Sequence, residues 1–432
     1  MSKQNILSSF ISLIPLSYII GTFALNLNVL FIIIGGLIIF FQGGRFKLIN
    51  LDKLVLCFFS YIIFTGVFNT VESYYFKNIV NYDFGIIIKS LLFLRYLLLY
   101  FVIRLLVEKD LINFKIILYS FAVLSLFVSI DLIFQFYYEK DIFGFTSPYE
   151  NKITGPFHTE AIAGGFVQKF SLFLFFSYII FGVKHDLKIK IPVLTLLFFI
   201  STTSIIFSGN RMPLILFFFA TFLIFLNNKT LKKYLFHILI LIFLMSSLTI
   251  TTNAKLKNYY NSFYKSSKNI VGLYSYRLLG VGKDLNIDER PYYIHEFDAG
   301  FGTWKMNKYL GGGTKSFRYN CPKREIKSEH ERTTCNMHPH NYYLEILTET
   351  GLVGFFVLSL VFLIILYISF FKKYFINSHL KYNHIITPFI FLFFVEIFPL
   401  KSTGSFFTTG NTTYLFLMMA ITVAFSRKQN IS

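Results

Sequence analysis

The chain has 432 residues, of which 55% are hydrophobic and only 15% are charged. A soluble protein of this length carries more charge. The composition therefore excludes a soluble protein and indicates a chain that crosses a membrane many times. The net charge of +19 would suggest nucleic-acid binding in a soluble protein. No nucleic-acid motif is present, and the basic residues cluster in short loops, where they indicate topology and contacts with anionic lipid.

Apolar runs of about 20 residues predict transmembrane helices. The run near Ile6 has no small-residue cleavage site after it, so we interpret it as an uncleaved span rather than a signal peptide. The predicted fold class is an all-α polytopic membrane protein with about twelve transmembrane helices. These are expected at residues 6–25, 27–42, 51–68, 84–106, 111–137, 160–183, 190–207, 212–226, 234–251, 351–371, 384–400 and 411–427.

The basic residues predict the orientation of these spans. With the N-terminus in the cytoplasm, the inside loops hold 17 Lys and Arg residues and the short outside loops hold five. Basic residues favour the cytoplasmic side, so both termini are predicted to be cytoplasmic in a bacterial inner membrane. The predicted organisation is a transmembrane bundle at 1–251, one large periplasmic loop at 252–350, and further spans at 351–432.

Several charged residues lie inside predicted spans. Such charges are costly in hydrocarbon, so we expect them to face the bundle interior or a cavity, with pairing of Lys89 and Asp131 as one option. They are Lys89, Arg95, Asp131, Lys169 and Glu396.

Two of the three cysteines, Cys321 and Cys335, lie in the outer loop. On an oxidising side of the membrane a disulfide between them is the favoured interpretation, and it would contribute about 3 kcal/mol. A metal site is an alternative because Cys335, His338 and His340 are closely spaced and His330 is near them in sequence. Free thiols are the third possibility.

The outer loop ends in the most informative motif, His340-Asn341, nine residues, and Gly351-x-x-Gly354. Pro339 interrupts the preceding structure, and a helix is predicted to follow it into the bilayer. The two glycines permit close packing of that helix. His340 would lie at the helix mouth, where the N-terminal amides disfavour an imidazolium. A neutral histidine there suits a base that acts beside a bound anion, although a helix-capping histidine is the simpler interpretation.

Three other stretches contain candidate ligands for an anion. Arg211, at the end of a span, either extends to lipid head groups or offers a fork of donors to a pyrophosphate. Gly311–Gly313 either forms a plain turn or presents backbone amides to an anion. Arg277 and Arg318 are further outer-loop cations. The turn at 154–161 precedes a span, and its His158 either lines a site or is structural.

Together these motifs resemble those of the O-antigen ligase-like membrane proteins, which include lipopolysaccharide O-antigen ligases and O-antigen polymerases. The His340 motif resembles the C-terminal periplasmic signature of that family. Ser208–Arg211 resembles its Ser-x-x-Arg element, and residues 154–161 resemble its Thr-Gly-x-Phe turn. Residues 304–318 resemble the segment before the histidine motif. The resemblance covers about residues 150–370.

The resemblance implies a metal-independent, inverting membrane glycosyltransferase with a GT-C-like architecture. Its donor would be a glycan on undecaprenyl pyrophosphate, and its acceptor either lipid A–core, for a ligase, or a growing glycan, for a polymerase. Phe355 stands where the ligase pattern usually has Gly, Thr or Tyr, so the sequence leaves this choice open. No cofactor is implied, because the donor bond is already activated.

The resemblance also assigns roles to individual residues. His340 would be catalytic, and Arg211, Arg277 and Arg318 would bind the donor pyrophosphate. The supporting residues would be Asn341, Glu345 and His338.

A flippase or transporter is the alternative from another functional class. Such proteins often have inverted repeats and broken helices near the midplane, neither of which is visible here. A large loop with a histidine motif on one side also has little use in a transporter. A non-catalytic assembly role is the third hypothesis.

Overall fold

The computed structural model describes residues 3–43, 47–76, 85–181, 187–227, 229–281, 290–325, 334–376 and 385–427. Over these ranges the chain is helical and forms no strand beyond one isolated bridge between Lys140 and Thr146. The predicted all-α class is therefore confirmed, and the apolar helices are consistent with a polytopic membrane protein.

The first half of the chain forms nine helices. They are α1 (Lys3–Ser12), α2 (Ile14–Ile20), α3 (Thr22–Phe41), α4 (Asn50–Phe76), α5 (Gly85–Glu108), α6 (Phe114–Tyr138), α7 (Ala163–Phe181), α8 (Leu187–Phe207) and α9 (Arg211–Asn227). The break between α2 and α3 falls at Gly21, where φ is 128°, a conformation that favours glycine. The boundary expected near residue 26 was therefore misplaced by several residues.

The second half begins with α10 and α11, which are separated by Asn253 and bent by 112°. The Asn253 side chain accepts a hydrogen bond from the Leu256 amide and so caps α11. The remaining helices follow in order. The bounds are α10 (Lys229–Thr252), α11 (Ala254–Leu279), α12 (Tyr292–Met306), α13 (Phe317–Asn320), α14 (Tyr342–Ile365), α15 (Thr387–Glu396) and α16 (Thr409–Arg427). A π-helical stretch, Leu366–Ile376, continues α14.

Each predicted span coincides with helical structure, but the helices differ in length. Six described helices are long and apolar enough to cross a membrane, and the bent pair α10–α11 makes a possible seventh. Four more apolar helices are shorter, at residues 4–20, 191–207, 211–224 and 387–396. The number of twelve spans thus stays a prediction. The 252–350 segment is largely helical in its described part, because α11 and α12 occupy much of it.

Helix α16 lies at the centre of the bundle. Its side chains from Thr412 to Ser426 are all buried, and it packs against α5 and α15. A second packed group forms around α7, which lies between α6 and α8. Aromatic rings fill much of this interior, as in the stacked pair Phe175 and Phe198, whose centroids are 4.1 Å apart.

Of the five charged residues inside predicted spans, Lys169 and Glu396 form an ion pair. Glu396 accepts Lys401 Nζ at 2.5 Å and lies 3.6 Å from Lys169 Nζ. The suggested pairing of Lys89 with Asp131 was wrong. Lys89 Nζ lies against the Tyr319 ring, and Asp131 accepts the Ile142 amide. Arg95 contacts Tyr96 and Thr409.

Candidate active site

The histidine motif occupies the turn between the Cys321–Cys335 loop and α14. Helix α14 begins at Tyr342, which confirms the predicted helix start after Pro339. His340 itself has φ 50°, in the left-handed region, and Pro339 packs against α12 at Gly300. A Cβ atom added to Gly300 would lie 3.1 Å from Pro339 Cβ, so a small residue is needed for this approach. The turn that carries His340 is thereby held on one face of α12.

Asn341 is the N-cap of α14. Its Oδ1 accepts the amides of Tyr343 and Leu344 at 2.9 and 3.1 Å. Its Nδ2 donates to the carbonyls of Pro399 and Lys401 at 2.9 and 3.1 Å. Asn341 therefore joins the helix mouth to the turn that precedes α16, and its contacts are those of a positioning residue.

Cys321 and Cys335 are joined by a disulfide. Cys321 is fully buried with Ala299 of α12 and with Phe317, so the bond ties the His340 loop to α12. Because Cys335 is part of this disulfide, it is not available as a thiolate ligand for the alternative metal site. No group of three His, Cys, Asp or Glu side chains suited to a metal occurs among the described residues, and His330 lies outside them.

The His340 ring faces polar side chains from its own loop and from α12. Its Nε2 lies 3.7 Å from Glu296 Oε1 and 3.3 Å from Asn336 Nδ2. The ring centroid of His338 is 4.3 Å from that of His340. Partial burial, which leaves 34% of the side chain exposed, lowers the pKa of His340 to about 4. The charge of His338 also lowers this pKa, that of Glu345 raises it, and that of Lys152 lowers it slightly. His340 is therefore neutral at pH 7, chiefly because it is partly removed from water rather than because of the helix terminus that the sequence suggested.

Glu296 and Lys152 continue this cluster away from His340. Glu296 is mostly buried, with 11% of its side chain exposed, and burial raises its pKa to about 7, opposed by the charge of Lys152. Lys152 is accessible to solvent, yet the surrounding protein removes part of its hydration, and this desolvation lowers its pKa. The nearby charge of Arg211 lowers the Lys152 pKa further, whereas that of Glu296 raises it.

Arg211 is the first residue of α9 and is held by α11. Its guanidinium carbon lies 3.8 Å from the centroid of the Tyr259 ring, and its Nη2 donates to the Tyr259 carbonyl at 3.0 Å. Its Nε is buried without a hydrogen-bond partner. The preceding Gly209 has φ 69°, and a Cβ atom there would lie 2.4 Å from the Asn151 carbonyl oxygen. This glycine lets the segment that carries Lys152 approach Arg211.

The structure thus brings Arg211 and His340 to the neighbourhood of the same lysine, Lys152. Burial lowers the pKa of His338 to about 4, and the nearby charges of Lys315 and Arg318 lower it further. Lys152, Lys315 and Arg318 therefore bring positive charge near the histidines.

Glu345 lies one turn into α14 and is buried. Its carboxylate accepts the Ser405 hydroxyl at 2.6 Å and the Phe406 amide at 2.5 Å. Lys315 Nζ lies 3.5 Å from the same carboxylate. Glu345 therefore fixes Lys315 and the turn before α16 beneath the site.

The anion-binding role suggested for Gly311–Gly313 was wrong. The amides of Gly312 and Gly313 donate to the carbonyls of Thr348 and Glu349 at 3.0 and 2.9 Å, and the Gly311 amide donates to Asn307. A Cβ atom at Gly311 would lie 2.5 Å from the Glu349 carbonyl. The glycines serve close packing of the main chain against α14, and their amides are not available to a ligand.

Arg277 lies apart from the cluster. It is exposed in the last turn of α11, 18 residues beyond Tyr259, which is about 27 Å along a helix. The placement gives it no part in a site at Arg211. The 154–161 turn is mainly structural, since Phe157 packs on Tyr18 and His158 packs on Phe145.

Sequence reasoning missed Lys152, Glu296 and Asn336. Lys152 was noticed only as one of the few basic residues outside, and Glu296 follows no recognisable motif. Of these three residues, Asn336 alone lies close in sequence to a motif, because it is four residues before His340.

The fold and these side chains define a helical membrane-type protein with a cationic, histidine-containing site beside the helix α14 mouth. The model of the O-antigen ligase family matches residues 196–359, a range that includes both Arg211 and His340. No curated protein matches the chain. The chain thus carries an O-antigen ligase-like domain, which confirms the resemblance predicted from the motifs and supports a ligase or polymerase at the level of the family.

Proposed function

We propose that the protein is an inverting, metal-independent glycosyltransferase of the bacterial inner membrane. It moves a glycan from undecaprenyl pyrophosphate to an acceptor hydroxyl at the periplasmic face, as an O-antigen ligase that acts on lipid A–core. The alternative is a repeat-unit polymerase of the same family. The main support is the grouping of Arg211, Lys152 and Glu296 with His340, since it combines cations for a pyrophosphate with a base for a hydroxyl.

The donor pyrophosphate binds at Arg211 and Lys152. The Tyr259 ring and carbonyl hold the guanidinium in place, and its remaining N–H donors bind phosphate oxygens with a planar geometry that a lysine lacks. The Lys152 ammonium adds a second charge beside it. Both cations stabilise the negative charge that develops on the departing pyrophosphate. Arg318, whose charge acts on His338, contacts the donor or acceptor near that histidine.

His340 removes the proton from the acceptor hydroxyl. The hydroxyl oxygen forms a bond to the anomeric carbon as the bond from that carbon to the pyrophosphate oxygen breaks, and the pyrophosphate leaves with the electron pair. Attack from the face opposite the leaving group inverts the anomeric centre. The lowered pKa of His340 keeps it neutral and able to accept a proton at neutral pH.

The test is a transfer assay with purified protein in detergent, lipid-linked glycan, and lipid A–core or free repeat units as acceptor. We expect His340→Asn to lower the rate by about 10²-fold or more, because the base is lost. Asparagine tolerates the left-handed backbone at this position.

His158→Asn is the matched control, since His158 also has a positive φ, of 54°. His158 lies in the 154–161 turn, and its ring packs on Phe145. It should retain nearly full activity. Near wild-type transfer by the His340→Asn protein would contradict the assignment. Transfer to lipid A–core identifies a ligase, and extension of free repeat units identifies the polymerase.

A further inference from the structure

Glu296 is the carboxylate that faces His340. It lies on α12, and its Oε1 is 3.7 Å from His340 Nε2. The distance is longer than a hydrogen bond, but catalytic contacts are often loose in structures without substrate. Glu296 is also mostly buried, so its position is set by packing and not by a free surface rotamer.

Two features of the fold hold Glu296 beside the histidine loop. Gly300, one helical turn along α12, packs on Pro339, the residue before His340. Ala299 is buried against Cys321 of the disulfide that encloses the same loop. These contacts hold α12 against the histidine loop, and they keep Glu296 beside His340.

We propose that Glu296 is a positioning residue for glycosyl transfer, whose carboxylate orients the His340 ring and stabilises the imidazolium formed when the acceptor proton arrives. This inference rests on the proposed function. The acceptor O–H bond breaks and its proton moves to an imidazole nitrogen. The resulting positive charge lies against the Glu296 carboxylate, and the proton is later released to solvent.

The ionised carboxylate matters because His340 is a weak base in its partly buried surroundings. Its pKa of about 4 means that the imidazolium is unstable there. A nearby carboxylate is the group that offsets such a cost. Glu296 acts in this way only when its carboxylate is ionised. Its pKa of about 7 means that Glu296 loses its proton near neutral pH.

Other charged and titratable groups also face the pair. Lys152 approaches Glu296 from the loop before the 154–161 turn, and Tyr292 lies one turn earlier on α12. His338 and Glu345 act on His340 from its own loop and from α14. Of the pKa values that the structure resolves among these groups, only that of Glu296 lies near 7, so ionisation of Glu296 should produce the rise in rate near that pH.

The experiment is single-turnover transfer by the full-length protein between pH 5.5 and 8.5. The wild-type rate should rise with pH through about 7 as Glu296 loses its proton. Glu296→Gln keeps the shape but not the charge, so the rate should fall by about 10- to 100-fold and the rise should disappear. Glu296→Asp should recover part of the rate and keep a rise. Glu150→Gln, at an exposed acid in the 147–152 segment, should behave as the wild type.

Several outcomes would overturn the inference. If Glu296→Gln keeps the wild-type rate and pH rise while His340→Asn is inactive, Glu296 has no such role and the proposed function stands. If His340→Asn is active, the proposed function itself fails. If Glu296→Gln does not fold, Glu296→Ala takes its place, because an unchanged rate and an unchanged pH rise in a variant without the carboxylate would also exclude the role.

Discussion

Arg211 is held by aromatic rings and a carbonyl rather than by an acid. Its guanidinium lies on Tyr259 and 5.2 Å from the centroid of Phe263, and no ion pair to a carboxylate occurs for it among the described residues. A guanidinium stacked in this way keeps its full charge while losing mobility. This setting leaves the charge of Arg211 without an acidic partner among the described residues, which supports the proposed contact with the donor pyrophosphate.

We predict that Arg211→Lys lowers kcat/KM for the lipid-linked donor by at least about tenfold, or about 1.4 kcal/mol of transition-state binding. Lysine keeps the charge but loses the planar fork and the stack on Tyr259. Initial rates over a series of donor concentrations would measure the change. Arg277→Lys should stay within about twofold of the wild type, because Arg277 is exposed far along α11. Equal losses in both variants would contradict this placement.

Among individual site residues, the sequence identified those that belong to motifs. His340 and Arg211 lie in short local patterns, and both reach the cationic cluster around Lys152. Lys152 and Glu296 could not be found, because their positions depend on how the 147–152 segment and α12 pack on distant parts of the chain. The resemblance gave Arg277 a role in binding the donor. In the structure Arg277 lies in the last turn of the 26-residue helix α11, far from the part of that helix that contacts Arg211.

Helix α14 contains a sharp irregularity at Gly351, whose φ and ψ are 63° and −167°. A Cβ atom at this position would lie 2.1 Å from the Tyr309 carbonyl oxygen. Close packing at the two motif glycines was expected from sequence, but the partner was not. At Gly351 that partner is the 308–313 segment, whereas at Gly354 it is the Tyr61 side chain of α4, and both reach α14 only through the tertiary fold.

We predict that Gly351→Ala lowers the free energy of unfolding by about 1–3 kcal/mol, since alanine would both adopt a strained backbone and collide with Tyr309. Thermal unfolding in detergent would show the change as a lower Tm. Gly272→Ala is the matched control, because Gly272 lies within α11 with nothing within 4 Å of its added Cβ atom. It should be neutral or slightly stabilising. A Tm for Gly351→Ala equal to that of the control would be inconsistent with the packing described.

The helices themselves were largely predictable, because apolar runs of spanning length are visible without any tertiary information. Their interruptions were less so. Gly21 breaks the first predicted span by its own backbone conformation, and Asn253 turns α10 into α11 by capping. Neither residue changes the average hydropathy enough to mark a boundary.

For the whole molecule, the distribution of basic residues makes a definite prediction of orientation. In a Cys57→Ser background, Tyr264→Cys on α11 should react with a membrane-impermeant thiol reagent applied from the periplasmic side, because Tyr264 is 69% exposed. Lys109→Cys, in a predicted cytoplasmic loop, should react only after the inner membrane is permeabilised. Labelling in cells before and after permeabilisation measures both. The reverse pattern would invert the topology and place the candidate site in the cytoplasm.

The contact between the 308–313 segment and α14 also restricts movement. Two amides of the segment donate to carbonyls of α14, and the amides of Leu352 and Val353 donate back to Lys308 and Tyr309. Each such bond contributes about 1 kcal/mol, and all four would have to break together for the segment to swing away. The segment is therefore held against α14, and a bulky ligand of the proposed kind would have to reach the histidine pair beside it, which would limit how wide a branched ligand can be.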